Sequence, residues 1–153
     1  MPENERYLLT DAQLRAELER CESCAEKPCQ VACPADCSPA DFIMAAAGGT
    51  PADLGRAAGL IMMKNPLGGV CGAVCPDHHC QVACARQLFD RPVEIPSVQA
   101  AIVARAKALG VMPRFEVTPA NGRKAAVVGA GGGGLAAAFT LAQLGYEADV
   151  LEK

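Results

Sequence analysis

The chain has 153 residues, a net charge of −3 and 20% charged residues, so it carries no basic field to recruit nucleic acid or an anionic membrane. An apolar fraction of 51% is that of a folded protein, long enough for one ordinary domain or two small ones. Aromatics are only 4% and Trp is absent, so the core must come from Ala, Val, Leu and Ile. Such a core is thin for its length and calls for another source of stability.

Residues 1–20 read as a capped helix, with Thr10 or Asp11 as N-cap and Leu14 and Leu18 on one face. A first cysteine block runs from Cys21 to Cys37. Ser38-Pro39 is an N-cap followed by proline at the first helical position, opening a helix through Phe42 and Ile43 to Gly48. Thr50-Pro51 repeats that signal, and its helix should end before Pro66. A second cysteine block runs from Cys71 to Cys84. Residues 97–109 read as an Ala-rich helix stopped by Gly110, and a linker rich in Pro, Gly and Asn follows over 111–122. Beyond it, 125–128 reads as a buried parallel strand, Gly129 to Gly134 as a glycine turn, Leu135 to Leu144 as a helix closed by Gly145, and 148–151 as a second strand. The expected division is an α-helical region over 1–110, the linker, and the start of an α/β unit over 123–153.

No apolar run reaches the ~20 residues needed to span a bilayer, and Met1 to Arg6 lack the form of a secretory signal. A cytoplasmic location is expected. There, nine cysteines read as metal ligands or redox groups before they read as disulfides. The first block spaces them Cys21-x2-Cys24-x4-Cys29-x3-Cys33-Pro34, the second Cys71-x3-Cys75-Pro76-x3-Cys80-x3-Cys84. Runs closing on Cys-Pro belong to ferredoxin-like iron–sulfur sites, where the last cysteine reaches past its own cluster to the neighbouring one. Zinc is the rival, since C-x2-C also opens zinc knuckles, but those pair it with a second C-x2-C or a His pair. A non-redox zinc-binding scaffold is therefore kept as the alternative. His78 and His79 read as exposed loop residues, and Cys37 as a small buried apolar residue beside a cluster. The pentapeptide Cys29-Gln30-Val31-Ala32-Cys33 recurs letter for letter as Cys80-Gln81-Val82-Ala83-Cys84. On a helix, each copy would set its two cysteines on one face.

Gly129-x-Gly131-x-x-Gly134 follows an apolar strand and opens a helix, the context in which backbone N–H groups cradle a pyrophosphate. Glu152 closes the second strand, near the spacing of an acid that takes a ribose hydroxyl. These four residues are the candidate nucleotide contacts. No proton-transfer residue stands out, and no catalytic residue is expected.

Cys-Glu-Ser-Cys at 21–24, Pro28-Cys29, Cys33-Pro34, Asn65-Pro66-Leu67-Gly68, Cys71-Gly72-Ala73-Val74-Cys75-Pro76 and the turn from Gly129 to Leu135 together resemble the N-terminal region of dihydropyrimidine dehydrogenase. They also resemble the small subunit of glutamate synthase and related NAD(P)H-dependent flavoproteins. The resemblance runs from Arg20 to Lys153. It implies an α-helical, two-cluster ferredoxin-like domain followed by the first βαβ unit of a Rossmann-type FAD domain. Electrons would pass from NAD(P)H to FAD and through two 4Fe–4S clusters to a partner site. The partner would be the remainder of the flavoprotein or a partner oxidoreductase subunit.

Carried over residue by residue, the resemblance gives Cys21, Cys24, Cys29 and Cys84 to one cluster, and Cys33, Cys75 and Cys80 to the other. The family's fourth ligand there is a glutamine, which matches Gln99, with Cys71 as competing candidate. Each copy of the repeat would then serve both clusters, two helices bracing them in a roughly two-fold arrangement. Metal binding would supply the missing folding energy, and the iron-free chain is expected to be largely unfolded. Two departures stand out. Gly132 and Gly133 replace the family's Pro-Ala, which would loosen the turn. The remaining FAD and NAD(P)H domains are absent, so the chain reads as a fragment, a truncated product or one piece of a split enzyme, and FAD is not expected to be held by it alone.

Overall fold

The computed structural model describes residues 8–76 and 79–153; His78 lies outside the described residues. The chain divides into two compact units at Pro113–Arg114.

The first unit is all-helical. Helix α1 (Asp11–Glu19) opens on a capping box, Thr10 accepting from the Gln13 backbone N–H while the Gln13 side chain accepts from the Thr10 N–H. Helix α2 (Pro28–Val31) is one turn, and α3 (Pro39–Ala46) follows Ser38, whose side chain makes no capping bond. Helix α4 (Pro51–Lys64) has a second capping box, built from Thr50 and Asp53. Helix α5 (Gly68–Val74) and α6 (Ile95–Ala108) complete the unit, with a 3₁₀ turn at Ala85–Leu88 between them. Helix α4 buries Leu54, Ala57, Ala58 and Ile61, spaced for one face. Helix α6 buries residues nearly all round and serves as the central post. Phe42, Ile61, Val98 and Ile102 are fully buried at the centre, and alanines at 46, 57, 58, 101 and 106 let the helices close around them. The core is small-residue, as the composition required, and Cys37 and Cys80 belong to it.

Helix α5 was not foreseen, because its sequence starts on two glycines. Those glycines serve packing. A Cβ at Gly72 would stand 2.6 Å from the Ala100 backbone N and 2.9 Å from the Pro96 carbonyl, and one at Gly68 would stand 2.3 Å from Ile61 Cγ2. At Gly72 the helix therefore lies backbone against backbone on α6, and at Gly68 it lies against the Ile61 side chain of α4.

The second unit holds strand β1 (Lys124–Val128), helix α7 (Gly132–Gln143) and strand β2 (Glu147–Leu151). The two strands pair in parallel, Lys124 opposite Glu147 and Val128 opposite Leu151. Helix α7 begins three residues earlier than expected. Gly132 and Gly133 occupy its first turn, where backbone N–H groups need no intrahelical acceptor.

The stretch expected as a linker is bonded at both ends. The Val111 N–H donates to the Ala106 carbonyl at 2.9 Å, closing α6. The N–H groups of Thr118 and Asn121 donate to the carbonyls of Gln143 and Gly145, and Phe115 meets Phe139 edge-to-face. No single helix among the described residues is long and apolar enough to cross a membrane.

Candidate metal centre

Neither CQVAC copy is helical throughout. The first is helical only to Val31, and its Cys33 N–H falls back to the Gln30 carbonyl at 2.9 Å. The second is a turn, with the Cys84 N–H on the Gln81 carbonyl at 3.1 Å. Pro34 disfavours helical backbone at Cys33, and five residues are too few to sustain a helix without tertiary support. The first block also carries Ser23, Lys27 and Asp36, non-glycine residues with φ of 49°, 44° and 52°. Such left-handed residues cost on the order of 1–3 kcal/mol each. Side chains hold two of them: Lys27 pairs with Asp41 at 2.8 Å and Asp36 with Lys64 at 2.8 Å.

This tight turning sends the two cysteines of each copy to different places. Cys29 and Cys84 line one cavity together with Cys21 and Cys24; its walls are Pro28, Pro39, Ala40, Ile43, Val93 and Ile95, with Glu22 and Arg86 also on its lining. Cys33 and Cys80 line a second cavity with Cys71, Cys75 and Gln99. Ile95 and Pro39 border both. Every sequence-selected cysteine and Gln99 thus lines one of the two cavities. Cys37 is buried beside the second. His79, expected as an exposed loop residue, is half-buried and lines that cavity too, drawn in by its neighbour Cys80 in the core.

The thiols affect one another. Burial pushes Cys21 up against the Ser23 backbone N–H, and the Cys84 and Cys24 thiols add to it. Burial likewise raises Cys29, opposed by the Ala40 N–H and helped by Cys21 and Cys84. In the second cavity burial lifts Cys80 to about 12, with Cys33 and Cys75 contributing. Cys75 is raised by burial and by Cys33 and Cys71. Burial takes Cys37 to about 12 as well, with Cys33 adding to it. Gathering several thiolates in such a cavity requires a polycationic core to compensate them, and metal binding must drive the protons off. Among the described residues no three His, Cys, Asp or Glu side chains converge on the position of one ion. The donor chemistry and layout fit a polynuclear, thiolate-bound group in each cavity.

Gln99 is held by its amide: Nε2 donates to the Gly68 carbonyl at 2.7 Å, leaving Oε1 as the end able to donate a lone pair.

Residues 3–111 match the family described as dihydropyrimidine dehydrogenase domain II, 4Fe–4S cluster. The chain belongs to that family. Its helical unit is a 4Fe–4S domain of the domain II type. The chain is 36% identical over 138 residues to the NAD-dependent dihydropyrimidine dehydrogenase subunit PreT of Salmonella typhimurium, covering 90% of this chain and 32% of the relative. It is 31% identical over 145 residues to the glutamate synthase [NADPH] small chain of Escherichia coli K12, covering 94% and 30%. It is 36% identical over 93 residues to the NADPH-Fe(3+) oxidoreductase subunit beta of Geobacter sulfurreducens, covering 61% and 14%. All three relatives are oxidoreductase subunits by name. The domain II chain spans about a third of the length of the first two.

In the second unit, Gly129 has φ of +100°, and a Cβ at Gly134 would stand 1.9 Å from the Gly129 carbonyl oxygen, so both positions demand glycine. A Cβ at Gly131 would meet nothing within 4 Å. Gly131 is the N-cap of α7, and the Ala130 N–H beside it donates to the Glu152 carboxylate. The four candidate nucleotide residues therefore gather at one end of the parallel pair.

Sequence reasoning missed Glu17. It is 4% exposed, on the face of α1 shared by Leu14 and Leu18. Its carboxylate pairs with Arg20 at 3.0 Å and with Arg91, and it accepts the Glu94 backbone N–H at 3.0 Å. This clamp fixes residues 90–94, which bring Val93 to the first cavity. A carboxylate three residues after Leu14 on an apolar helix face was the available signal. Glu22 and Arg86 on the first cavity were missed as well.

Proposed function

We propose that the chain is an electron-relay module holding two 4Fe–4S clusters, part of a FAD-dependent NAD(P)H oxidoreductase of the glutamate synthase small subunit and dihydropyrimidine dehydrogenase type. Cys21, Cys24, Cys29 and Cys84 hold the first cluster. Cys33, Cys75 and Cys80 hold the second, with Gln99 or Cys71 completing it. The observation that carries this reading is the splitting of each CQVAC copy between the two cavities. It supports two neighbouring groups sharing a pair of ligand loops, as in two-cluster ferredoxins. The clusters supply one-electron capacity. The chain's part is to hold them close together, with Ile95 and Pro39 bordering both, and to shield their apolar side from water.

The second unit we read as the first βαβ unit of a Rossmann-type FAD domain. Gly129 makes the tight turn, Gly131 leaves room for a pyrophosphate, Gly134 allows helix and strand to approach, and Glu152 is the ribose acid. In this reading the module works in the cytoplasm and passes electrons between the rest of a flavoprotein and a partner oxidoreductase subunit.

Iron and acid-labile sulfide analysis of anaerobically purified protein tests the proposal. About eight of each per chain is expected for two cubanes. Stoichiometric zinc without sulfide would overturn it in favour of a zinc-binding scaffold. The same sample should carry no stoichiometric FAD, since one βαβ unit lacks the later strands and loops of a dinucleotide crevice.

A further inference from the structure

The two cavities differ in charge. Glu22 and Arg86 lie on the lining of the first, each close in sequence to one of its cysteines: Glu22 follows Cys21, and Arg86 stands two residues after Cys84. Among the described residues, no Arg, Lys, Asp or Glu is on the lining of the second, which carries His79.

Arg86 is firmly held. Its guanidinium donates to the Glu22 carboxylate and grips Asp90 twice, Nε to Oδ1 at 2.9 Å and the second contact at 3.2 Å. Asp90 is braced in turn by Arg20 at 2.9 Å, and the Arg86 head lies 5.9 Å from the centre of the Phe89 ring. Arg86 and Glu22 are partly exposed, so water screens them in part, but a charge fixed this way at the cavity does not need to reorient when the charge of the cavity changes.

We propose that Arg86 and Glu22 are an opposed pair of charge-setting residues for the first cluster, Arg86 raising its reduction potential and Glu22 lowering it. The proposal rests on the two-cluster reading above. Reducing a 4Fe–4S cluster adds one electron and no bond, so the change at the cavity is one negative charge. A cation at the lining stabilises the reduced form and an anion destabilises it. Hydrogen bonds and charges near the sulfurs are among the factors that set such potentials. The second cavity, whose described lining holds no Arg, Lys, Asp or Glu, is the internal reference. Arg86 is thus a positioning residue for charge in this relay, one that ranks the two clusters for the electron.

The test is a redox titration of the reconstituted chain, with dithionite as reductant and electron paramagnetic resonance to count each reduced cluster. For Arg86→Gln, the reduced-to-oxidised ratio of one cluster at fixed potential should fall roughly threefold to tenfold, a shift of up to ~59 mV for one electron. Glu22→Gln should raise the ratio of that same cluster. The double variant should return near the parent, and Arg86→Lys should stay near it throughout. The other cluster should not move. If Arg86→Gln fails to hold iron, Glu22→Gln and Arg86→Lys still decide the matter. Shifts of the same sign in the Arg86→Gln and Glu22→Gln variants, or no shift in either, overturn the inference and leave the two-cluster reading standing. A parent protein without iron–sulfur signals overturns that reading, and the inference with it.

Discussion

The Glu17 carboxylate on α1 accepts the backbone N–H of Glu94 at 3.0 Å, joining residues 77 positions apart. With Arg20 and Arg91 on the same carboxylate, it pins the segment that leads from the last cysteine into α6. Burial alone would push this carboxyl up. The Glu94 N–H, the Arg91 hydrogen bond and the two arginine charges outweigh it and hold the carboxyl below its ordinary value. A group depressed on folding stabilises the protein above its unfolded value and loses that contribution as pH falls through the folded value. The melting temperature should therefore drop in acid, with the loss beginning near the ordinary value of 4.5 and completing below it. Glu17→Gln should weaken this acid dependence and cost about 2–4 kcal/mol at neutral pH, because it leaves Arg20 and Arg91 without their shared partner. Thermal melts of both proteins across pH check this.

Gly72 sets the distance between α5 and α6. Gly72→Ala would drive a methyl into the backbone of Ala100 and Pro96, where nothing flexible can yield. A cost of about 1–3 kcal/mol follows from overpacking, and α5 must move. Since α5 carries Cys71 and ends at Cys75, the expected result is selective damage to the second cavity, with the Cys21 cavity intact. Iron analysis and spectroscopy of the variant should show one cluster kept and one lost.

What the sequence disclosed and what it hid follow from the range of the forces involved. The helix starts at Thr10 and at Thr50-Pro51 were legible because capping is settled within four residues. The cysteine spacing pointed to iron–sulfur ligation, but the division of the ligands between two sites came from the family resemblance. Helix α5 was hidden because Gly68, Gly69 and Gly72 read locally as breakers, and only the faces of α4 and α6 turn them into a packing surface. The CQVAC copies misled in the opposite direction, helical by spacing but turned by Pro34 and by their brevity. The clamp on Glu17 joins residues more than 70 apart, a separation at which local pattern carries no information.

The repeat itself is testable. Cys29 and Cys33 stand four residues apart but line different cavities. Cys29→Ala should therefore abolish one cluster and Cys33→Ala the other, each leaving about four irons where two cubanes give about eight. The two residual spectra should differ, and together they should account for the parent spectrum.

Iron removal probes the expectation that the chain depends on its metal to fold. The structure localises that dependence. Phe42, Ile61, Val98 and Ile102 sit among α3, α4 and α6 at the centre of a core that Cys37 and Cys80 join, while the loops carrying Ser23, Lys27 and Asp36 hold left-handed backbone against its cost. Chelation should release residues 21–37 and 75–88 first and leave much of the helicity of α4 and α6. Hydrogen exchange on the iron-free protein would show protection retained at Ile61 and Ile102 and lost at Cys33 and Cys84. Loss of protection throughout the helical unit would mean that the metal holds the whole core.

Gln99 and Cys71 both line the second cavity, and which of them completes the proposed cluster would set its potential. Its Nε2 is committed to the Gly68 carbonyl, so the neutral Oε1 is the end available to a metal, where a cysteine would present an anion. A neutral ligand destabilises the reduced cluster less than a thiolate does, so a Gln99-ligated cluster should have the higher potential. Gln99→Cys should then lower the potential of the second cluster, and Cys71→Ser should leave iron content and potential near the parent. If Cys71→Ser removes the cluster and Gln99→Cys changes nothing, Cys71 is the ligand, and the Gln99–Gly68 bond serves only to seat α5 on α6.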